Sequence, residues 1–312
     1  MHYNQENECS AKFRRTLARN LIMYFISGIT GKIGGATAQQ LLDAGHSVRA
    51  LARDPQKATA WTQKGVEVRA GDLTDAQAVA SALEGVEGAF LMQPTPFGVS
   101  PDFPEATALN GSFVAALAQT PPPRLVVLSS VGSEQTSGLG NITQTHLLEA
   151  ELRDLPFPTA FVRAGALIEN FLGLLERAAS TGWFDSFLQP TDHPFPMVAT
   201  ADVGAEIARL LIEGWDGHRI VEIGSPITPD EIARAITQVL GTPVKARSIP
   251  REYWTQTLKT MGLAPDQIGN WEEMEDGFNA GWIHFGVPGT ATVTGTTSPA
   301  QVFAAATNPP TL

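Results

Sequence analysis

The stretch Leu21–Ala44, LIMYFISGITGKIGGATAQQLLDA, limits the possible folds more than any other part of the chain. It opens with an apolar run, Leu21 to Ile26, and turns at Gly28-Ile29-Thr30-Gly31. It then continues with Ile33, Ala38, Leu41 and Leu42 at near-helical spacing. That pattern is a strand, a glycine turn and a helix. Gly28, Gly31 and Gly34 stand as G-x-x-G-x-x-G. Glycine suits such a turn because it adopts positive φ without strain and lets the backbone approach an anion closely. The N–H groups at the start of the helix then face a phosphate, helped by the positive end of the macrodipole. The residues placed to meet it are Gly28, Thr30, Gly31, Lys32, Ile33 and Gly34. The spacing differs from the commoner G-x-G-x-x-G, so this stretch alone also fits a tight turn with no ligand.

Bulk properties narrow the classes. A chain of 312 residues accommodates one large or two modest domains. The net charge of −11 argues against a broad nucleic-acid surface. A single cysteine, Cys9, excludes an intrachain disulfide framework and fits a reducing cytoplasm. No apolar run approaches the roughly 20 residues of a membrane span. Residues 1–20 carry Lys12, Arg14, Arg15 and Arg19 and read as a mobile N-terminal extension. The apolar run after them is too short for a signal peptide.

Strand and helix patterns alternate along the chain. His46–Ala52 reads as a second strand, ending at Arg53-Asp54-Pro55. In a dinucleotide-binding fold this position meets the adenosine ribose, where an acid reads the 2′-hydroxyl of NAD and an arginine accepts the 2′-phosphate of NADP. Arg53 suits the phosphate, while Asp54 suits a helix cap with Pro55 at the first position. NADP(H) is therefore favoured over NAD(H). Residues 65–70 form a third strand, closed by Asp72 and Leu73; Asp72 fits either a role at the adenine end or a turn-stabilising one. Thr74-x-x-Gln77 has the pattern of a capping box for a helix over 75–83. Strand four, Glu87–Met92, ends at Gln93-Pro94, and a helix spans about 102–118. Strand five, Arg124–Leu128, runs into Ser129-Ser130, which either hydrogen-bond a ligand or simply finish the strand. Strand six, Thr159–Arg163, leads into Ala164-Gly165-Ala166, with Arg163 anchoring its end. Alternation of this kind predicts right-handed βαβ units in an α/β fold, a doubly wound parallel sheet of the Rossmann type.

The combination GITGKIGG, Arg53, GDLTDAQAVASALEGVEGAFLMQP, LVVLSSVGSE and HLLEAEL…PTAFVRAGALIENFL resembles the NmrA-like branch of the atypical short-chain dehydrogenase/reductases, over roughly residues 21–305. That branch includes NAD(P)H-dependent quinone, azo-dye and triphenylmethane reductases, and NADP-binding regulators without turnover. The resemblance implies a Rossmann domain, here 21–165 with 200–223, and a small, mostly C-terminal α+β substrate lobe, here 166–199 with 224–312. It implies an NADPH-dependent reductase of quinones or related conjugated acceptors. The alternative is a non-catalytic redox sensor acting through a protein partner.

The usual Tyr-x-x-x-Lys pair is missing. Tyr3, Tyr24 and Tyr253 are the only tyrosines, and Tyr253 has Thr257 four places on. By the resemblance, His146 borders the nicotinamide site, and imidazole exchanges a proton near neutral pH. Glu149 lies three residues on, where it would orient that ring. Gln93, Pro94, Ser129, Gly165 and Ala166 complete the expected cofactor side. The aromatic stretch 171–188 suits lobe core or walls for a flat substrate, and Trp271–Phe285 reads as a lid. Residues 290–297 read as a turn-rich link to a last helix near 298–306. The expected partner is a small aromatic or conjugated molecule, with no nucleic acid, membrane or metal; a homodimer and a regulatory protein remain open.

Overall fold

The computed structural model describes residues 22–307, so the basic stretch 1–20 lies outside the described residues. The order of elements follows the alternation in the sequence. Strand β1 (Met23–Ile26) leads through the glycine turn into α1 (Lys32–Asp43) and β2 (Ser47–Ala52). A short 3₁₀ turn, α2 (Thr59–Gln63), β3 (Glu67–Ala70), α3 (Ala76–Leu83) and β4 (Gly88–Leu91) follow. Then come α4 (Pro104–Gln119), β5 (Leu125–Ser130), α5 (Thr143–Leu152) and β6 (Thr159–Ala164).

The main sheet also takes in β10 (His218–Ile223) and β13 (Ala291–Val293). Its order is β13-β10-β6-β5-β4-β1-β2-β3, and every pairing in it is parallel. The order reverses between β1 and β4, which makes the crevice at their carboxyl ends the ligand position of a doubly wound sheet. One face of the sheet packs Ile33, Ala38 and Leu41 of α1 with Val203, Ile207 and Leu211 of α7 (Thr200–Glu213). The other face packs Val79 and Leu83, Phe113 and Leu117, and Leu148 and Leu152 from α3, α4 and α5. Burial on both faces explains the unbroken apolar runs of the central strands.

The second core belongs to the lobe. It contains β7 (Ala166–Leu167), α6 (Leu175–Thr181), β8 (Trp183–Ser186), β9 (Phe195–Val198), β11 (Ser225–Ile227), α8 (Pro229–Leu240), β12 (Lys245–Ser248), α9 (Trp254–Thr260), α10 (Ile268–Ala280) and α11 (Pro299–Thr307). Small sheets β11-β9-β7 and β12-β8 stiffen it. Val131, Leu139 and Ile142, from the β5–α5 loop, pack into this core with Phe184, Ile236 and Phe278. The loop that precedes His146 is therefore built into the lobe.

Two local expectations need correction. The cap of α3 is Asp75, whose carboxylate accepts from the N–H groups of Gln77 at 2.9 Å and Ala78 at 3.2 Å. Thr74 is instead held by Asp72, so the Thr74-x-x-Gln77 capping box does not form. The supposed link at 290–297 contains β13, which pairs with β10 and places residues 291–293 in the main sheet rather than the lobe. At the start of α8 the Thr228 hydroxyl accepts from the Glu231 N–H while the Glu231 carboxylate accepts from the Thr228 N–H, and Gly241 closes the helix at φ 69°.

Candidate functional site at the β1–β4 crevice

The glycine turn owes its shape to two of its three glycines. Gly28 has φ 64°, a conformation that side chains resist, and a Cβ there would also meet Met92 Sδ at 2.8 Å. Gly34 is needed for packing: a Cβ would lie 2.7 Å from the Ser27 carbonyl oxygen. This lets α1 sit directly on the end of β1. The crevice is stitched by the Ser27 hydroxyl oxygen, which accepts from Met92 N–H at 2.9 Å. Gly31 is the N-cap of α1 and has no side-chain cap, and the first turn carries no acid. Thr30, Gly31 and Lys32 are exposed, while Ile33 is buried beneath them, so Ile33 offers a ligand only its backbone. The helix start is an open amide cradle with a cation at its rim.

Arg53 is exposed at the carboxyl end of β2. The Asp54 carboxylate accepts from Gln56 N–H at 3.0 Å and caps the turn that Pro55 begins. Asp72 accepts from the Thr74 N–H at 3.0 Å and its hydroxyl at 2.9 Å. The Thr74 N–H is the main influence holding the Asp72 carboxyl below the usual range; slight burial opposes it, and the Thr74 hydroxyl and Arg53 charge add to it. Leu73 is half-buried, and its carbonyl accepts from the Ser112 hydroxyl on α4 at 2.8 Å.

Several residues expected to face the cofactor have other contacts. Gln93 is buried, and its side-chain amide donates to Asn110 on α4. Pro94 is exposed beside it. The Ser129 hydroxyl is buried against Glu149. Gly165 is buried, and a Cβ there would lie 2.6 Å from the Pro196 carbonyl oxygen, so its small size serves the approach of β9. Ala166 is half-buried on the lobe core.

His146 is half-buried on α5. Its Nδ1 lies 2.9 Å from the Ser133 carbonyl oxygen. A carbonyl only accepts, so Nδ1 carries the hydrogen of this contact and Nε2 is the ring nitrogen outside it. Glu149 does not orient this ring. It forms a two-point pair with Arg163, at 2.9 Å from Nε and 2.7 Å from Nη2. The Nη1 of Arg163 donates to Glu134 at 2.9 Å. Arg163 pairs across the sheet with Ser129 on one side and Glu222 on the other, so all three point to one face. Burial opposes the guanidinium charge, but the hydrogen bonds and charge of Glu149, with Glu134 and Glu222, raise its pKa further above the ordinary value. Tyr24 is buried within β1 and Tyr253 lies exposed in the lobe, so neither stands in for the missing pair.

The lobe grips two loops of this crevice. Trp271 Nε1 donates to the Phe97 carbonyl at 2.7 Å, beyond β4. In the β5–α5 loop, Gly140 N–H donates to Glu273 at 2.9 Å, and Trp282 Nε1 donates to the Gly138 carbonyl at 3.0 Å. A shallow recess lined by His218, Arg219, Ile220, Gly289, Thr290 and Ala291 lies at the amino ends of β10 and β13, the wrong end of a doubly wound sheet for its ligand.

A profile of the NmrA-like family matches residues 22–280. The chain belongs to the NmrA-like family. Quinone oxidoreductase 2 of Escherichia coli is 26% identical over 253 residues, covering 80% of this NmrA-like chain and 85% of the relative. The (4-alkanoyl-5-oxo-2,5-dihydrofuran-3-yl)methyl phosphate reductase of Streptomyces griseus is 32% identical over 226 residues, covering 72% and 76%. The Escherichia coli NADPH-dependent quinone oxidoreductase QOR2, crystallised with NADPH, superposes with a TM-score of 0.74 at 23% identity, covering 92% of this chain and 100% of that one. Within the family fold, the glycine turn, Arg53 and His146 lie along the carboxyl edge of the sheet.

Proposed function

We propose that this NmrA-like protein is an NADPH-dependent reductase of quinones or related conjugated acceptors. The observation that carries the reading is the start of α1 at the β1–β4 crevice, where the first-turn amides after Gly31 have no side-chain cap, one strand away from the exposed Arg53. These residues fit a dinucleotide: Gly28 and Gly34 keep Cβ atoms out of the turn, and the α1 amides suit a pyrophosphate. Lys32 adds a cation at the rim, and Arg53 presents a planar fork to a 2′-phosphate. Asp72 stays tied to Thr74 and shapes the loop at the adenine end.

When bound, NADPH supplies the hydride. The chain's own part is orientation and proton handling. His146 is held through Nδ1; as the imidazolium it gives its Nε2 proton to the reduced acceptor, is left as the neutral Nδ1–H ring, and takes a proton back from solvent. Residues 22–165 and 200–223, with β13, serve the cofactor, and 166–199 with 224–290 and 298–307 serve the acceptor, with α10 as cover. The relatives' names, a quinone reductase and a reductase of an unsaturated oxo-dihydrofuran, support a conjugated acceptor. Among the described residues no helix is long and apolar enough to cross a membrane.

The test is NADPH oxidation by the purified protein across a panel of quinones. Turnover with at least one acceptor is expected. Tight NADPH binding without turnover on any acceptor would leave a sensor instead.

A further inference from the structure

Arg163 is a full charge near the end of a strand whose other residues are all buried, and the proposed chemistry does not consume it. Its side chain is 4% exposed and those of Glu149 and Glu134 are 7% and 20% exposed. Burying an ion pair of this kind gives little net stability, so its placement calls for another explanation. The two carboxylates sit at opposite ends of one contact. Glu149 lies on α5, three residues after His146. Glu134 directly follows Ser133, whose carbonyl holds His146 Nδ1. One guanidinium thus grips the helix that carries the imidazole and the loop that carries its acceptor.

The remaining contacts point the same way. The Ser133 and Thr145 hydroxyls are 2.8 Å apart, and Thr145 donates to the Ile142 carbonyl, so Ser133 donates to Thr145. Val131 N–H donates to the Ala164 carbonyl at 2.9 Å, tying the start of this loop to the end of the strand that carries Arg163. Glu222 does not compete for the guanidinium by hydrogen bonding; its carboxylate accepts from Gly286 N–H at 2.8 Å and Val287 N–H at 3.4 Å.

We propose that Arg163 and Glu134 are positioning residues for His146: together they fix the Ser133–Glu134 segment so that its carbonyl keeps the hydrogen on Nδ1 and leaves Nε2 to face the acceptor. This inference rests on the reductase reading given above. A buried arginine clamped between two acids has a simpler role in holding the sheet together, and the experiment must separate the two.

Glu134→Gln removes a charge at the less buried end and keeps the side-chain shape. The ¹⁵N signals of the His146 ring, assigned by their loss in His146→Ala, report the tautomer directly. The wild-type ring is expected as the Nδ1–H form. In Glu134→Gln the Nε2–H form should appear, with kcat lowered about tenfold, the low end for losing such outer support, and KM for NADPH unchanged. Arg163→Lys, which keeps the charge but loses the fork, should shift the ring signals in the same direction.

Wild-type ring signals and wild-type kcat in Glu134→Gln, with only a lower melting temperature, would overturn the proposal. Full turnover by His146→Ala would overturn it as well. If the wild-type protein oxidised NADPH with no acceptor, the failure would belong to the reductase reading, and the tautomer measurement would alone decide the positioning one.

Discussion

Arg53 and Asp72 stand at the ends of the neighbouring strands β2 and β3 but are held differently. Asp72 is committed to Thr74, and among the described residues Arg53, at the carboxyl end of β2, has no acid bonded to it. Arg53→Ala should weaken NADPH binding about tenfold or more and leave NADH binding nearly unchanged, as measured by calorimetry with each dinucleotide. Equal losses would remove the 2′-phosphate assignment. Gly34 makes a different demand. A Cβ there meets main chain at Ser27 and Gly28, which cannot rotate away. Gly34→Ala should cost about 1–3 kcal/mol by overpacking and weaken both dinucleotides alike. Thermal melts with and without NADPH check this, and a variant as stable as wild type would show that α1 can lift off the strand.

The residue roles that the sequence concealed are those decided by distant partners. Glu149 sits at helical spacing from His146, yet its carboxylate turns to Arg163 because a buried guanidinium must be matched. The signal was present in TAFVRA, a run with one charge that reads as buried throughout. Nothing near Gln93 or Ser129 foretold that Asn110 and Glu149 would engage them.

At the scale of elements, periodicity and punctuation carried most of the information. Apolar runs ending at Arg53, Gln93 and Ser129 became β2, β4 and β5 within a residue or two at each end, because central parallel strands are covered on both faces. Asp54 became a cap, as Pro55 after it suggested. Asp75 displaced Thr74 because Asp72, two residues earlier, claims Thr74 for its own turn. The hardest element was β13. Its Ala-Thr-Val segment is three residues long and gains strand structure only from pairing with β10, some seventy residues earlier. Short edge strands carry little local signal of their own.

Across the whole molecule, one buried acid links pH to integrity. Glu275 lies on α10, and burial, with the neighbouring Asp276 charge, pushes its carboxyl up to about 8. The folded chain then holds a proton that the unfolded chain releases near the ordinary value. Stability is greatest below the unfolded pKa and declines as pH rises through about 8. Glu275→Gln keeps the shape without the charge. Its melting temperature should vary less between about pH 5 and 9 than that of the wild type, and exceed it at the alkaline end. Parallel melting curves for the two proteins would dismiss the buried proton as an influence on stability.

The same helix reaches further than its own packing. Through Trp271 and Glu273 it holds one loop after β4 and another after β5. Loops tethered to a shared brace cannot breathe separately. An opening on the β4 side of the crevice is therefore felt in the β5–α5 loop that precedes His146. The two rims of the crevice thus open and close as one piece, with the helix as their common hinge-pin.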